Sequence, residues 1–238
     1  MLPLRNLNPT RSTPVLTYLL IAANTAVFLY EYSLGPEGAE LFVRRFGLIP
    51  SMIAVHHHVG SLITPLSSMF MHGSWLHLLG NMWFLHIFGD NVEDALGKPR
   101  FALFYLCAGL GAAAGQVAID PSNTVPMVGA SGAIAGVLAA YVRLFPRARV
   151  LTLIPQLPWG LIFPFLYVAR ELPATLLILL WFGLQLLEGV GTLGVPQPGG
   201  VAFFAHIGGF VSGLVLVGFF TKRRNVTRGF RRPERYGY

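Results

Sequence analysis

Met127-Val128-Gly129-Ala130-Ser131-Gly132-Ala133-Ile134-Ala135-Gly136 opens a long apolar run, yet it carries a serine among small residues where hydrocarbon should begin. Small residues let two helix backbones approach closely inside a bilayer. A hydroxyl two residues after Gly129 and beside Gly132 is therefore open to a neighbouring helix. It is either a packing group on a glycine face or a nucleophile waiting for a base. The rest of the chain has to decide between them.

Composition sets the solvent. The 238 residues are 54% apolar and 11% charged, with a mean hydropathy of +0.60. Soluble domains carry about 25% charged residues, so most of this chain belongs in lipid. The single cysteine, Cys107, leaves no disulfide framework and no cysteine-based metal site. The first apolar run, residues 14–30, is too long for a signal-peptide core and lacks a small-residue cleavage pattern after it, so it reads as a span. The net charge of +7 comes from chain ends and loops. It speaks to topology and lipid contact rather than to nucleic acid, which is not an expected partner.

Crossing ~30 Å of hydrocarbon takes about 20 residues of helix. Runs at 14–32, 75–90, 100–118, 129–145, 173–191 and 201–221 meet that need. The expected fold is an all-α polytopic membrane protein, a single domain of six transmembrane helices over residues 1–221 with a basic tail at 222–238. In the long first connection, Leu41-Phe42-Val43-Arg44-Arg45-Phe46 suits a helix lying in the interface. Asp120-Pro121-Ser122-Asn123 is a turn leading to the serine. Residues 150–169 are apolar enough to cross, but Pro155, Pro158 and Pro164 would break one helix three times. An interfacial or re-entrant connection is expected there.

Six spans with an inside N-terminus put 15 of the 17 lysines and arginines on the inner side, leaving only Arg44 and Arg45 outside. That bias predicts both termini in the cytoplasm and a multi-pass location, in a cell (inner) membrane. Spans two, four and six then run from outside to inside. Asn81 is six residues past Trp75, Ser131 five past Pro126 and His206 six past Gly200. At 1.5 Å per residue all three lie roughly 7–9 Å below the outer start of their helices.

A strongly polar residue inside a span is a functional hypothesis by default. His206 is one, in Phe204-Ala205-His206-Ile207-Gly208-Gly209. Gly209 and Gly213 are four apart on the sixth span, as are Gly132 and Gly136 on the fourth, so two glycine faces can pack and bring imidazole to hydroxyl. Taken alone, His206 reads equally well as a hydrogen-bonded packing residue; beside Ser131 it reads as a base. His77 and Asn81 are four apart on one face of the second span, placed to donate to a developing oxyanion. The free backbone N–H of Ser131 at its helix start points to the same place. No Asp or Glu lies at this depth in spans two, four or six, which predicts a Ser–His dyad rather than a triad.

Gly129-Ala130-Ser131-Gly132, His77 with Asn81 and His72 upstream, and Ala205-His206-Ile207-Gly208-Gly209 together resemble the rhomboid family of intramembrane serine proteases. The likeness runs from the first span to the sixth, with the motifs in the family's order. It implies a six-helix fold that cleaves transmembrane segments of other proteins near the outer face, without cofactor or metal. Ser131 would be the nucleophile and His206 the base. His77, Asn81 and the Ser131 backbone N–H would form the oxyanion hole. Gly129, Gly132 and Gly209 would support the site, and Glu93 resembles the family's structural acid after the second span. His72, nearer the surface, would help hold water. Substrate would enter near the fifth span under a cap at residues 196–200. Two departures stand out. Ala135 occupies the place where some members stack an aromatic on the histidine, and Arg44-Arg45-Phe46 only approximates a Trp-Arg pair of the first outer connection.

Other readings are weighed against this one. A soluble hydrolase elbow reads G-x-S-x-G, whereas Ala133 stands second after Ser131. A metal transporter would draw on His56-His57-His58, His72, His77 and His86, but the triplet lacks acidic or cysteine partners and reads as a solvated loop. A non-catalytic, rhomboid-like binding protein is the remaining rival.

Overall fold

The computed structural model describes residues 1–56, 59–156, 167–191 and 202–221. His57 and His58, residues 157–166, the expected cap at 196–200 and the basic tail at 222–238 lie outside the described residues. A strand β1 (Leu2–Asn6) precedes α1 (Val15–Ser33), α2 (Gly35–Phe46), and the short α3 (Pro50–Ala54) and α4 (Thr64–Ser67). Then come α5 (Trp75–Leu96), α6 (Lys98–Ile119), α7 (Ser131–Leu144), β2 (Arg149–Pro155), β3 (Tyr167–Pro173), α8 (Ala174–Gly191) and α9 (Phe203–Phe220). The chain is a helical membrane protein. Four helices, α1, α6, α8 and α9, are long and apolar enough to cross a bilayer by length and composition. α5 is as long as α6 but carries Asp90, Glu93 and Asp94 in its last turns.

α7 is the exception, and it explains the site. Its 14 residues rise about 21 Å, short of ~30 Å of hydrocarbon. Chain without helical hydrogen bonds is tolerated at such depth only where protein buries it or a wet cavity adjoins it. Residues 125–129 line a cavity, and Met127 is held to Leu48 by reciprocal backbone bonds, Leu48 N–H to Met127 O at 3.0 Å and Met127 N–H to Leu48 O at 2.7 Å. α7 itself is buried along nearly its whole length, with residues 132–141 all enclosed.

α6, α7 and α9 meet backbone against backbone. A methyl added at Gly209 would fall 2.0 Å from the Gly132 carbonyl oxygen, and one at Gly213 would fall 2.4 Å from the Gly136 carbonyl oxygen. Only glycine allows helices this close. Below the contact, Phe88, Phe101, Phe104, Tyr105, Leu138 and Tyr141 are fully enclosed and fill the space between α5, α6 and α7.

The opposite end of the bundle holds a feature absent from the sequence reading. β1, β2 and β3 form an antiparallel sheet in that order, with Leu2 opposite Leu153 and Leu153 opposite Ala169. In the connection at 150–169, expected to be interfacial or re-entrant, both described ends are strands. Pro155 ends β2, and Val150-Leu151-Thr152-Leu153 has the period-two, β-branched pattern of a strand, with Val150 and Thr152 buried.

The N-terminal segment is bolted to the last turns of α5. Trp83 donates to the Pro3 carbonyl at 2.7 Å, Asn6 donates to the Ile87 carbonyl at 3.0 Å and pairs with Asn91, and Tyr141 donates to Asn6 at 3.1 Å. Buried Glu93 then caps α1. Its carboxylate accepts the backbone N–H groups of Leu16 at 3.1 Å and Thr17 at 2.7 Å, and the Thr17 hydroxyl at 2.9 Å. An acid at a helix N-terminus satisfies free N–H groups and meets the positive end of the helix dipole. This is a structural role, as the resemblance implies for Glu93.

Candidate active site

Ser131 is the first residue of α7, and His206 lies in the first turn of α9. The glycine contact between these helices sets the spacing of their ends. His206 Nε2 lies 2.7 Å from Ser131 Oγ. Gly129 makes the turn into α7 with φ of +130°, a region that side chains avoid. A methyl there would also meet the His77 ring at 2.7 Å, with Ser131 Oγ 3.6 Å away. The glycine thus lets the His77 ring lie against the turn that delivers Ser131.

Ser74 starts α5 and accepts the His77 backbone N–H at 3.2 Å, so His77 sits in the first turn and Asn81 one turn below. Ser131, His206, His77 and Asn81 all line one cavity of roughly 1400 Å³. Asn81 is buried, and its Nδ2 has no hydrogen-bond partner among the described residues. Buried donors are nearly always paired, so an unpaired amide in the cavity that Ser131 also lines is a donor open to a ligand. Gly132 lines the same cavity, while Gly209 acts from behind through the helix contact.

His72 differs from expectation. It is fully enclosed and does not line the cavity; its ring packs edge-on against His77, with centroids 5.1 Å apart. Burial, with His77 beside it, holds its imidazole down at about 3, so it stays neutral. Its backbone N–H reaches Glu31 at 3.4 Å. The chain turns inward at Met71 and His72 before α5 begins, which places the ring behind His77.

Sequence reasoning missed the neighbours of His206. With Ala135 unable to stack on it, the imidazole is held from α8: Gln185 Oε1 pairs with Nδ1, and the Trp181 ring lies 5.7 Å away at 42°. The signal was present in the sequence. Gln185 is a lone amide in the run Leu176–Leu187, six residues before the end of α8, the depth rule already used for Asn81 and His206. Among the described residues no three His, Cys, Asp or Glu side chains gather as metal ligands.

Comparisons with known proteins bear on the family. The family model for the rhomboid domain matches residues 59–223. RHOMBOID-like protein 2 of Arabidopsis thaliana is 30% identical over 214 residues, 86% of this chain and 58% of that protein. RHOMBOID-like protein 1 of the same plant is 29% identical over 212 residues, 84% of this chain and 46% of that protein. Putative rhomboid protease YdcA of Bacillus subtilis is 38% identical over 81 residues, 34% of this chain and 39% of that protein. The chain spans about half the length of the curated relatives it matches.

Proposed function

This chain belongs to the rhomboid family, and from that premise we propose that it is an intramembrane serine endopeptidase working through Ser131 and His206. The observation that carries the reading is the 2.7 Å approach of His206 Nε2 to Ser131 Oγ in a cavity shared with an unpaired Asn81 amide. A non-catalytic binding protein has no need of a base on its serine or of a spare donor beside it.

In this mechanism Ser131 Oγ attacks the scissile carbonyl carbon as His206 Nε2 takes the hydroxyl proton. The carbonyl oxygen becomes an oxyanion, met by the Asn81 amide, the His77 ring and the Ser131 backbone N–H. Donors fixed beforehand at developing charge are worth several kcal/mol in a water-poor site. Collapse of the adduct breaks the C–N bond, and His206 returns the proton to the leaving amine. A water entering through the cavity then repeats the sequence on the acyl-serine, releasing the acid and restoring Ser131.

The substrates in this reading are transmembrane segments of other membrane proteins, cut near the outer face. α1, α5, α6, α7, α8 and α9 form six crossings of one domain. The positive-inside bias supports a cytoplasmic side for both termini and the tail at 222–238, in a cell membrane. The test is cleavage of a model transmembrane substrate in proteoliposomes, together with fluorophosphonate labelling. Wild type should cleave and label, and Ser131→Ala should do neither. Equal cleavage by both forms would overturn the assignment, and substrate capture without cleavage by either would favour the binding protein.

A further inference from the structure

We propose that Gln185 is the positioning residue of the reaction, setting the tautomer of His206 in the place where soluble serine proteases use a carboxylate. The inference rests on the reading of Ser131 and His206 as nucleophile and base. A base can take the serine proton only if its Nε2 bears a lone pair, which requires the ring proton to sit on Nδ1. In this site that choice is made by an amide.

The amide's own orientation is dictated by its neighbour. Gln185 Nε2 donates to the Glu188 carboxylate at 3.4 Å, one turn further along α8. A carboxylate only accepts, so the NH2 end faces Glu188 and Oε1 faces the imidazole. Oε1 likewise only accepts, and the Nδ1 it meets must carry the hydrogen. Nε2 is then left to accept from Ser131 Oγ. Glu188, Gln185, His206 and Ser131 form one line of donors and acceptors with a single consistent direction. Trp181 holds the ring from α8 as well. Among the described residues the imidazole's hydrogen bonds go to Gln185 and Ser131. α6 presents Ala112 and Gly115 toward the start of α9, and Gln116 and Asp120 at the end of α6 and His77 on α5 line the same cavity without bonding to the ring.

An amide differs from a carboxylate in one respect that chemistry can read. It fixes the tautomer without setting against the imidazolium the full negative charge that a carboxylate would bring. Placing a charge there should change the pH dependence, whereas removing the acceptor should change the rate.

The experiment compares Gln185→Met, which keeps length without an acceptor, with Gln185→Glu, which keeps an acceptor and adds charge. Both are reconstituted as full-length protein. Histidine 15N spectra of each report the His206 tautomer independently of turnover. Wild type should show the proton on Nδ1. Gln185→Met should show the ring proton moved largely to Nε2 and a kcat lower by about 10²-fold with KM unchanged, the low end of what positioned proton transfer contributes. Gln185→Glu should recover kcat at high pH, with the acid limb of the kcat/KM profile moved upward because the carboxylate favours the protonated ring. Wild-type kcat and tautomer in Gln185→Met, or an unmoved acid limb in Gln185→Glu, would overturn the proposal. Failure of wild type to label with a fluorophosphonate would instead overturn the protease reading, and the tautomer spectra would still judge Gln185.

Discussion

Gly209→Ala tests the packing that sets the site. The added methyl would lie 2.0 Å from the Gly132 carbonyl oxygen and 2.8 Å from its carbon. A carbon resting on a carbonyl oxygen needs about 3.3 Å, so α9 must draw back from α7 by about 1.3 Å at this point. His206 is three residues earlier on the same helix and moves with it. Its 2.7 Å separation from Ser131 then opens toward about 4 Å, outside hydrogen-bond range. A displacement near 1 Å costs roughly 10²-fold in rate, and overpacking adds about 1–3 kcal/mol of destabilisation. The two effects separate against Gly213→Ala. Its methyl meets the Gly136 carbonyl oxygen at 2.4 Å, one turn further from His206. The stability cost should be similar and the loss of cleavage smaller. Gly183→Ala, with no atom within 4 Å of the new methyl, serves as the neutral control. Initial rates in proteoliposomes with thermal unfolding in detergent give both quantities. Wild-type cleavage by a fully folded Gly209→Ala would refute the idea that helix spacing holds the dyad.

Further outcomes follow from the same geometry. Asn81→Ala should lower kcat by about 10²–10³-fold with little change in KM, as expected for one oxyanion donor; kinetics on a transmembrane substrate check this. Gly129→Ala should abolish fluorophosphonate labelling of Ser131, because the backbone turn and the His77 ring both exclude a side chain; normal labelling would contradict that. Glu93→Ala strips three hydrogen bonds from the start of α1 and should cost on the order of 3 kcal/mol in unfolding experiments, with activity retained below the lowered midpoint. Phe182 stacks on Phe210 with centroids 4.1 Å apart, whereas Trp181 faces His206. Phe182→Ala should therefore loosen α8 and raise cleavage of bulky substrates, and Trp181→Ala should lower it; equal shifts in both would argue against separate roles.

Much of the site could be read from the chain because it depends on local spacing. Asn81, Ser131 and His206 are polar residues at matched positions in apolar runs, and glycines four apart mark the faces that join two helices. What escaped depends on neighbours far away in sequence. In the sequence Gln185 is one amide in a leucine-rich helix; only the fold shows that α8 runs beside α9 and delivers it to the imidazole. His72 is enclosed rather than nearer the surface, because chain position says nothing of an inward turn. The strands at Leu2–Asn6 and Arg149–Pro155 pair across more than 140 residues. Neither short run is persuasive until the other is placed next to it.

β3 runs straight into α8 at Pro173 and Ala174, so the sheet grips one end of that helix. Along the rest of it only Ile178 and Gly189 are buried. The element is therefore a lever with its fulcrum at the strands. Gln185 rides about 16 Å along the arm, where a tilt of about 10° would swing it roughly 3 Å and part it from the imidazole. A polypeptide that pushes this arm aside to pass would idle the base as it enters, and cutting would wait until the arm falls back behind it.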